Sequence, residues 1–304
     1  MQSTWLEVAR VDTRAEAEDL ALVLEAAGVR REIVRERDGH AVVVPWDDAD
    51  RALVELVKYT AESSQRNAPA PAAVYPIARG RDAALVAAGA LIAIYVAQIT
   101  ASFGFRWFAD GAAVASAIRG GAWWRTLTAL TLHGDAVHLA GNVVFGTLFG
   151  VMLAQSVGIG WTWLAFTLTG GLGNAANAYA QSPSHVAIGA STGVFGMLGV
   201  QVAYEWMRRR QLRHGTLRRW APLIMGVALL AWLGGGGADA ERLDVAIRKV
   251  DVGAHLFGFA TGVALGGALG LAPRPLFPAD RIQTVMALSA AALIALAWLL
   301  AFAA

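Results

Sequence analysis

The sequence predicts a polytopic α-helical membrane protein that carries a small N-terminal α+β module. Three observations predict it. Of 304 residues, 56% are hydrophobic and only 16% are charged, against roughly 45–50% and about 25% in ordinary soluble domains. Seven apolar runs approach the about 20 residues that a helix needs to cross a hydrocarbon layer of about 30 Å. The first 64 residues, by contrast, mix charged and apolar residues in short soluble patterns.

The totals also exclude classes. A formal net charge of +2 is too small to argue for nucleic acid as a partner. The positive residues are nearly all arginine; Lys58 and Lys249 are the only lysines. Alanine and arginine richness suggests a GC-rich bacterial genome. With no cysteine, disulfides, thiolate metal sites and a cysteine nucleophile are ruled out. The stretch "MQSTWLEVARVDTRAEAEDL" has no apolar h-region, so no cleavable signal peptide is expected.

Residues 1–64 read as the soluble module. "TWLEVARV", "REIVRER" and "HAVVVPW" are strand-like. "TRAEAEDLALVLEAAG" is a helix, with Thr13 and Glu16 in a capping-box pattern and Gly28 to end it. "DDADRALVELVKYTAE" is a second amphipathic helix with Asp47 as N-cap. The order β-α-β-β-α predicts a ferredoxin-like layer. His40 reads as a surface residue at a strand edge. The module is open to regulating, to recruiting a cytoplasmic partner, or to stabilising. Residues 65–82, rich in Ala, Pro and Ser, read as a linker.

Spans are placed near 83–102, 135–155, 160–179, 188–206, 219–235, 252–271 and 284–303. The densest basic segment, "MRRRQLRHGTLRR", lies between the fourth and fifth spans and is expected inside. Counting back places the N-terminal module in the cytoplasm; counting forward places the C-terminus outside. His214 belongs to the basic loop. Arg242, Arg248 and Lys249 fall in an outer loop beside Asp239, Glu241, Asp244 and Asp251. The first outer loop, about 103–134, carries Trp107, Trp123 and Trp124, side chains that favour the headgroup level.

Polar side chains inside a span are costly and raise a functional hypothesis. His138, Asn142, Ser191 and His255 stand out. At about 1.5 Å rise per residue, Ser191 and His138 lie roughly 25 Å, His255 roughly 28 Å and Asn142 roughly 20 Å from the inner edge. Three spans thus deliver polar groups to nearly one level in the outer half of the bilayer. Each has a plain explanation alone: a back-bonding serine, helix-bridging histidines, an asparagine as interhelical glue. Together they offer chemistry. A histidine can take the proton of a serine hydroxyl. His138 and Asn142, at i and i+4, share a helix face and can donate to one oxyanion. Gly258, Gly262, Gly266 and Gly270 recur every four residues, and Gly193, Gly196 and Gly199 every three, as in helices whose backbones touch.

These residues resemble the rhomboid family of intramembrane serine proteases. "WWRTLTALTLHGDAVHLAGNVVFG" is similar to that family's W-R segment and its H-x-x-x-x-H-x-x-x-N pattern, on Trp124, Arg125, His133, His138 and Asn142. "GASTGVFG", from Gly189, resembles its G-x-S-G motif, and "AHLFGFATG" its A-H-x-x-G segment. The resemblance covers about 83–275 and implies a six-span catalytic domain, with 276–304 as an additional C-terminal transmembrane helix. It implies Ser191 as nucleophile, His255 as general base and acid, and His138, Asn142 and the Ser191 N–H as oxyanion donors. It also implies an aromatic ring, Phe195, against the catalytic histidine, and supporting roles for Gly189, Gly193, Gly258, His133, Trp124 and Arg125. His133 is expected as a supporting hydrogen-bonder. Thr192 stands where the family's motif has glycine. No cofactor and no metal is implied; the partners are transmembrane protein substrates and the lipid bilayer.

Three functions follow for comparison. The first is a serine endopeptidase cleaving transmembrane or membrane-anchored proteins near the outer face, in a bacterial inner membrane. The second is a catalytically inactive rhomboid-like protein that binds transmembrane clients, for which Thr192 is the only sequence support. The third is a small transporter whose buried histidines would relay protons, against which stand the lack of a buried Asp or Glu within the spans and of an obvious inverted repeat. His185 is placed in an outer loop without a role.

Overall fold

The computed structural model of the protein describes residues 5–36, 39–67, 76–211, 216–234, 251–271 and 280–304. The chain divides into two compact units, Met1–Ala72 and Ala73–Ala304.

In the first unit, β1 (Trp5–Val11), α1 (Arg14–Ala26), β2 (Glu32–Glu36), β3 (Gly39–Pro45) and α2 (Ala49–Asn67) follow in the expected order. The sheet order is β1-β3-β2, and both pairings are antiparallel. β1 and β2 therefore run parallel on either side of β3, a split β-α-β unit. The Thr13–Glu16 capping box forms in full. Gly28, at φ +70°, donates to Glu25, and Val29 donates to Leu24; this is the Schellman arrangement that a left-handed glycine permits. Leu24, Val42, Val44 and Ala52 centre the small core.

Two expectations need correction in this unit. Asp47 does not cap α2. It lies inside the 3₁₀ turn Trp46–Asp48, entered through Pro45 at φ −59°. His40 is not at the edge of the sheet: it is half-buried on β3, the central strand.

Among its described residues the second unit holds seven long helices: α3 (Ile77–Ile99), α7 (Ala136–Val157), α8 (Ile159–Ala180), α9 (Ser191–Gln211), α10 (Thr216–Gly234), α11 (Val252–Leu271) and α12 (Asp280–Ala303). Each matches a predicted span. Among the described residues, four segments, Ile77–Ile99, Ala136–Val157, Val252–Leu271 and Arg281–Ala303, are long and apolar enough to cross a membrane. Of the other three, α8 buries Thr162, Thr167, Thr169, Asn174 and Asn177, and α9 ends in Arg208, Arg209 and Arg210. α3 begins six residues before the predicted span, because Pro76 stands at its N-cap with the φ that a helix start accepts. The predicted linker 65–82 is thus partly helical at both ends. Its centre, with His214, Arg242, Arg248, Lys249, Asp239, Glu241 and Asp244, lies outside the described residues.

Between α3 and α7 the chain folds into short pieces: α4 (Trp107–Gly111), β4 (Ala113–Val114), α5 (Ala115–Arg119) and α6 (Arg125–Thr128). β4 pairs with β5 (Val186–Ala187), just ahead of α9. Arg125 pins this loop by donating to the carbonyls of Ala109 and Ala112, and Trp124 packs against Leu127 and Leu132. Arg119 donates to the carbonyls of Ala178, Tyr179 and Gln181, closing the C-terminus of α8 with a cation.

α12 is stitched to the core at both ends. Gln283, 1% exposed, accepts from Gly160 N–H and donates to the Val157 carbonyl, so it bridges the α7–α8 turn. Trp298 donates to Thr131 at 3.1 Å and lies among Trp107 and Phe302.

The glycine stripe of α11 faces α9 directly. A Cβ on Gly258, Gly262 or Gly266 would lie 2.1–2.3 Å from the carbonyl oxygens of Thr192, Gly196 and Val200 respectively. Both rows advance by four residues, so the two backbones touch along their length. The three-residue row on α9 behaves differently. Steps of three drift around a helix with 3.6 residues per turn. A Cβ on Gly193 or Gly196 would therefore run first into Phe166 or Thr169 of α8, whereas a Cβ on Gly199 would run into Phe259 and Val263 of α11.

Candidate active site

The loop before α9 sets Ser191, the expected nucleophile. Gly189 has φ +116°, a conformation that glycine adopts without strain. Its N–H donates to the Ala129 carbonyl at 2.9 Å, and the β4–β5 pairing holds the residues just before it. The chain then turns into α9, and Ser191 is its first residue. The predicted span at 188–206 thus begins as a shaped loop.

His255 stands in the first turn of α11, 7% exposed. Its Nε2 lies 2.8 Å from Ser191 Oγ. Phe195, one turn into α9, packs on the imidazole with ring centroids 4.5 Å apart. Gly258 allows the approach, because its own backbone abuts the Thr192 carbonyl.

α7 supplies the other polar groups. Asp135 caps it by accepting the His138 N–H at 2.8 Å. His138 Nε2 and Asn142 Nδ2 both face Gly189: a Cβ there would lie 2.6 Å from the first and 3.5 Å from the second. Asn142 is 6% exposed, and its Nδ2 has no hydrogen-bond partner among the described residues. A buried donor without an acceptor is costly, and this one is aimed beside the nucleophile's loop.

His133 is fully buried, with its ring edge-on to His138, centroids 5.1 Å apart. Its ring is a packing partner of His138, and it is the His133 backbone that hydrogen-bonds, clamped on both sides by Gln98 of α3. Burial first, and then the neighbouring His138, push its pKa down to about 4, so the ring is neutral at ordinary pH.

Thr192 is accommodated. Its hydroxyl donates to Asn174 Oδ1 at 2.9 Å, and Asn174 Nδ2 donates to the Thr126 carbonyl at 2.9 Å. Its methyl fills the space left by two glycines, Gly173 and Gly258. Gly193 makes room for the Phe166 ring. Trp124 and Arg125 brace the outer loop.

Sequence reasoning passed over several polar residues that shape the site: Gln98, Asn174, Asn177, His185 and Asp251. Asn174 and Asn177 lie inside a predicted span, so the cost of polar groups in a membrane was the signal that could have flagged them. Among the described residues no group of three or more histidine, cysteine or carboxylate side chains could hold a metal ion.

Among the described residues, long helices, four of them apolar enough to span, with a serine and a histidine in contact between two of them, define an integral membrane protein with a partly buried serine–histidine pair. Comparison with known proteins is consistent. The rhomboid domain model matches residues 120–271, half of the chain, and the chain belongs to the rhomboid family. It is similar to YdcA of Bacillus subtilis (strain 168), 24% identical over 49% of this chain and 68% of that protein. Rhomboid-like protease 3 of Toxoplasma gondii is 31% identical over 51% of this chain and 55% of its own length. Rhomboid protease GluP of Bacillus subtilis (strain 168) is 31% identical over 60% of this chain and 33% of its own length.

Proposed function

We propose that this protein is an intramembrane serine endopeptidase that uses Ser191 and His255 to cleave transmembrane or membrane-anchored proteins near the outer face of the bilayer. The observation that carries this reading is the 2.8 Å contact between His255 Nε2 and Ser191 Oγ, within the hydrogen-bond reach that a nucleophile and its base need. His255 takes the Ser191 proton as Oγ attacks the peptide carbonyl carbon. The resulting oxyanion is held by His138, Asn142 and the Ser191 N–H. The imidazolium then gives its proton to the leaving amine, leaving an acyl-enzyme on Ser191. Water, deprotonated by His255, hydrolyses that ester and restores the serine. The fit of Thr192 among Asn174, Gly173 and Gly258 supports this reading over that of an inactive client-binding protein.

In the same reading the first unit lies in the cytoplasm, where it is placed to meet a cytoplasmic partner. The C-terminus lies outside, and the membrane is a bacterial inner membrane.

The test is cleavage of a reporter transmembrane segment. Ser191→Ala and His255→Ala should each lower the rate by about 10³-fold or more. Substantial activity in either variant would sink the dyad. A fluorophosphonate probe should label the wild type and not Ser191→Ala.

A further inference from the structure

We propose that Asp251 is a positioning residue: it sets the first turn of α11 and so fixes where His255 stands opposite Ser191. This rests on the proposed dyad.

Asp251 immediately precedes α11 and holds the helix start in two ways. Its Oδ1 accepts the Ala254 N–H at 3.0 Å, the bond of an N-cap. Its backbone carbonyl accepts the N–H of His255 itself at 3.2 Å. The second carboxylate oxygen, Oδ2, is gripped from outside the helix. Asn177 of α8 donates to it at 2.8 Å, and His185 Nε2 lies 2.7 Å away. Asn177 is 1% exposed and accepts from Gln181 at 3.4 Å. Gly253 keeps the approach open, since a Cβ there would lie 2.5 Å from Asn177 Oδ1.

One carboxylate thus ties together three segments. His185 immediately precedes β5, on the path to Ser191; Asn177 is near the end of α8; Ala254 and His255 begin α11. In many serine hydrolases a carboxylate holds the histidine ring itself. Here it holds the backbone that carries the ring. An Asp at this place without Asn177 and His185 would read as an ordinary cap. The converging donors make it a fixed point between nucleophile and base.

The test uses the full chain in proteoliposomes with a reporter transmembrane substrate. Asp251→Ala should lower kcat by about 10–100-fold, as small misplacements of reacting groups do. KM should move by less than about 3-fold. Asp251→Asn keeps an oxygen for the cap but sets an NH₂ against the Asn177 donor, so it should recover only part of the loss. His185→Ala should fall between the two, and it carries the test where Asp251→Ala does not fold. Hydrogen exchange supplies a readout without turnover: peptides spanning 251–258 should exchange faster in Asp251→Ala, while those in 136–157 stay unchanged. An unchanged kcat overturns the proposal. So does a lower kcat with unchanged exchange at 251–258. If the wild type shows no Ser191-dependent cleavage, the proposed function fails by itself. The exchange arm then decides whether Asp251 sets the turn that carries His255.

Discussion

At the scale of single residues, Thr192 decides how a departure from a family's motif is read. Its hydroxyl is bonded to Asn174, and its methyl sits against Gly173 and Gly258. Restoring glycine there leaves Asn174 Oδ1 buried without its donor, at a cost of about 1–3 kcal/mol. Thr192→Gly is therefore expected to lower stability in denaturant unfolding. Thr192→Ser, which keeps the hydroxyl, should lose less. Equal stability of the Gly variant and the wild type would remove the role of the hydroxyl. Ser191, His255, His138 and Asn142 were legible because each is a polar group in an apolar run. Asp251 and His185 were not. They lie just outside the runs, among other loop polar residues, and only the fold shows that they converge.

At the scale of elements, the α9–α11 contact is the frame of the site. The four-residue glycine repeat on α11 was readable from its period. The three-residue repeat on α9 was misleading, because such a row winds off the face it starts on. Substitution separates the two kinds of glycine. Gly262→Ala places a methyl 2.1 Å from the Gly196 carbonyl oxygen, so α9 and α11 must part. Overpacking of this kind costs about 1–3 kcal/mol, and reporter cleavage should fall with it. Gly267 on the same helix has nothing within 4 Å of its added Cβ; Gly267→Ala should leave both stability and cleavage unchanged. A neutral Gly262→Ala would dissolve the frame. The β4–β5 pair could not be read from sequence, since two-residue strands carry no period. The exact start of α9 escaped for a related reason: an apolar run does not mark where loop becomes helix, whereas the φ of Gly189 does.

At the scale of the whole molecule, the sequence separates a soluble layer from a set of apolar helices, and the structure has two compact units that correspond to them. The arrangement across the membrane is a proposal drawn from the arginines, and the chain is convenient for testing it, because it has no native cysteine. Glu18→Cys, on the exposed side of α1, should react only with a membrane-permeable maleimide in intact cells. Ala304→Cys should react with an impermeable one. The reverse pattern would invert the proposed topology and move the reaction to the other face.

Three helices begin at the same place. α7 opens one turn before His138, α9 opens on Ser191, and α11 opens one turn before His255. Each helix start carries a partial positive charge from its unpaired N–H groups. Their fields add where the Gly189 loop meets the imidazole. Carboxylate caps, Asp135 on α7 and Asp251 on α11, offset that charge at two of the starts; α9 has no acidic residue in its first turn, so its partial charge stands beside Ser191 uncompensated by its own helix. In the proposed reaction, a peptide carbonyl that gains negative charge beside Ser191 would meet the open N–H groups of the α9 start, a charge supplied by backbone.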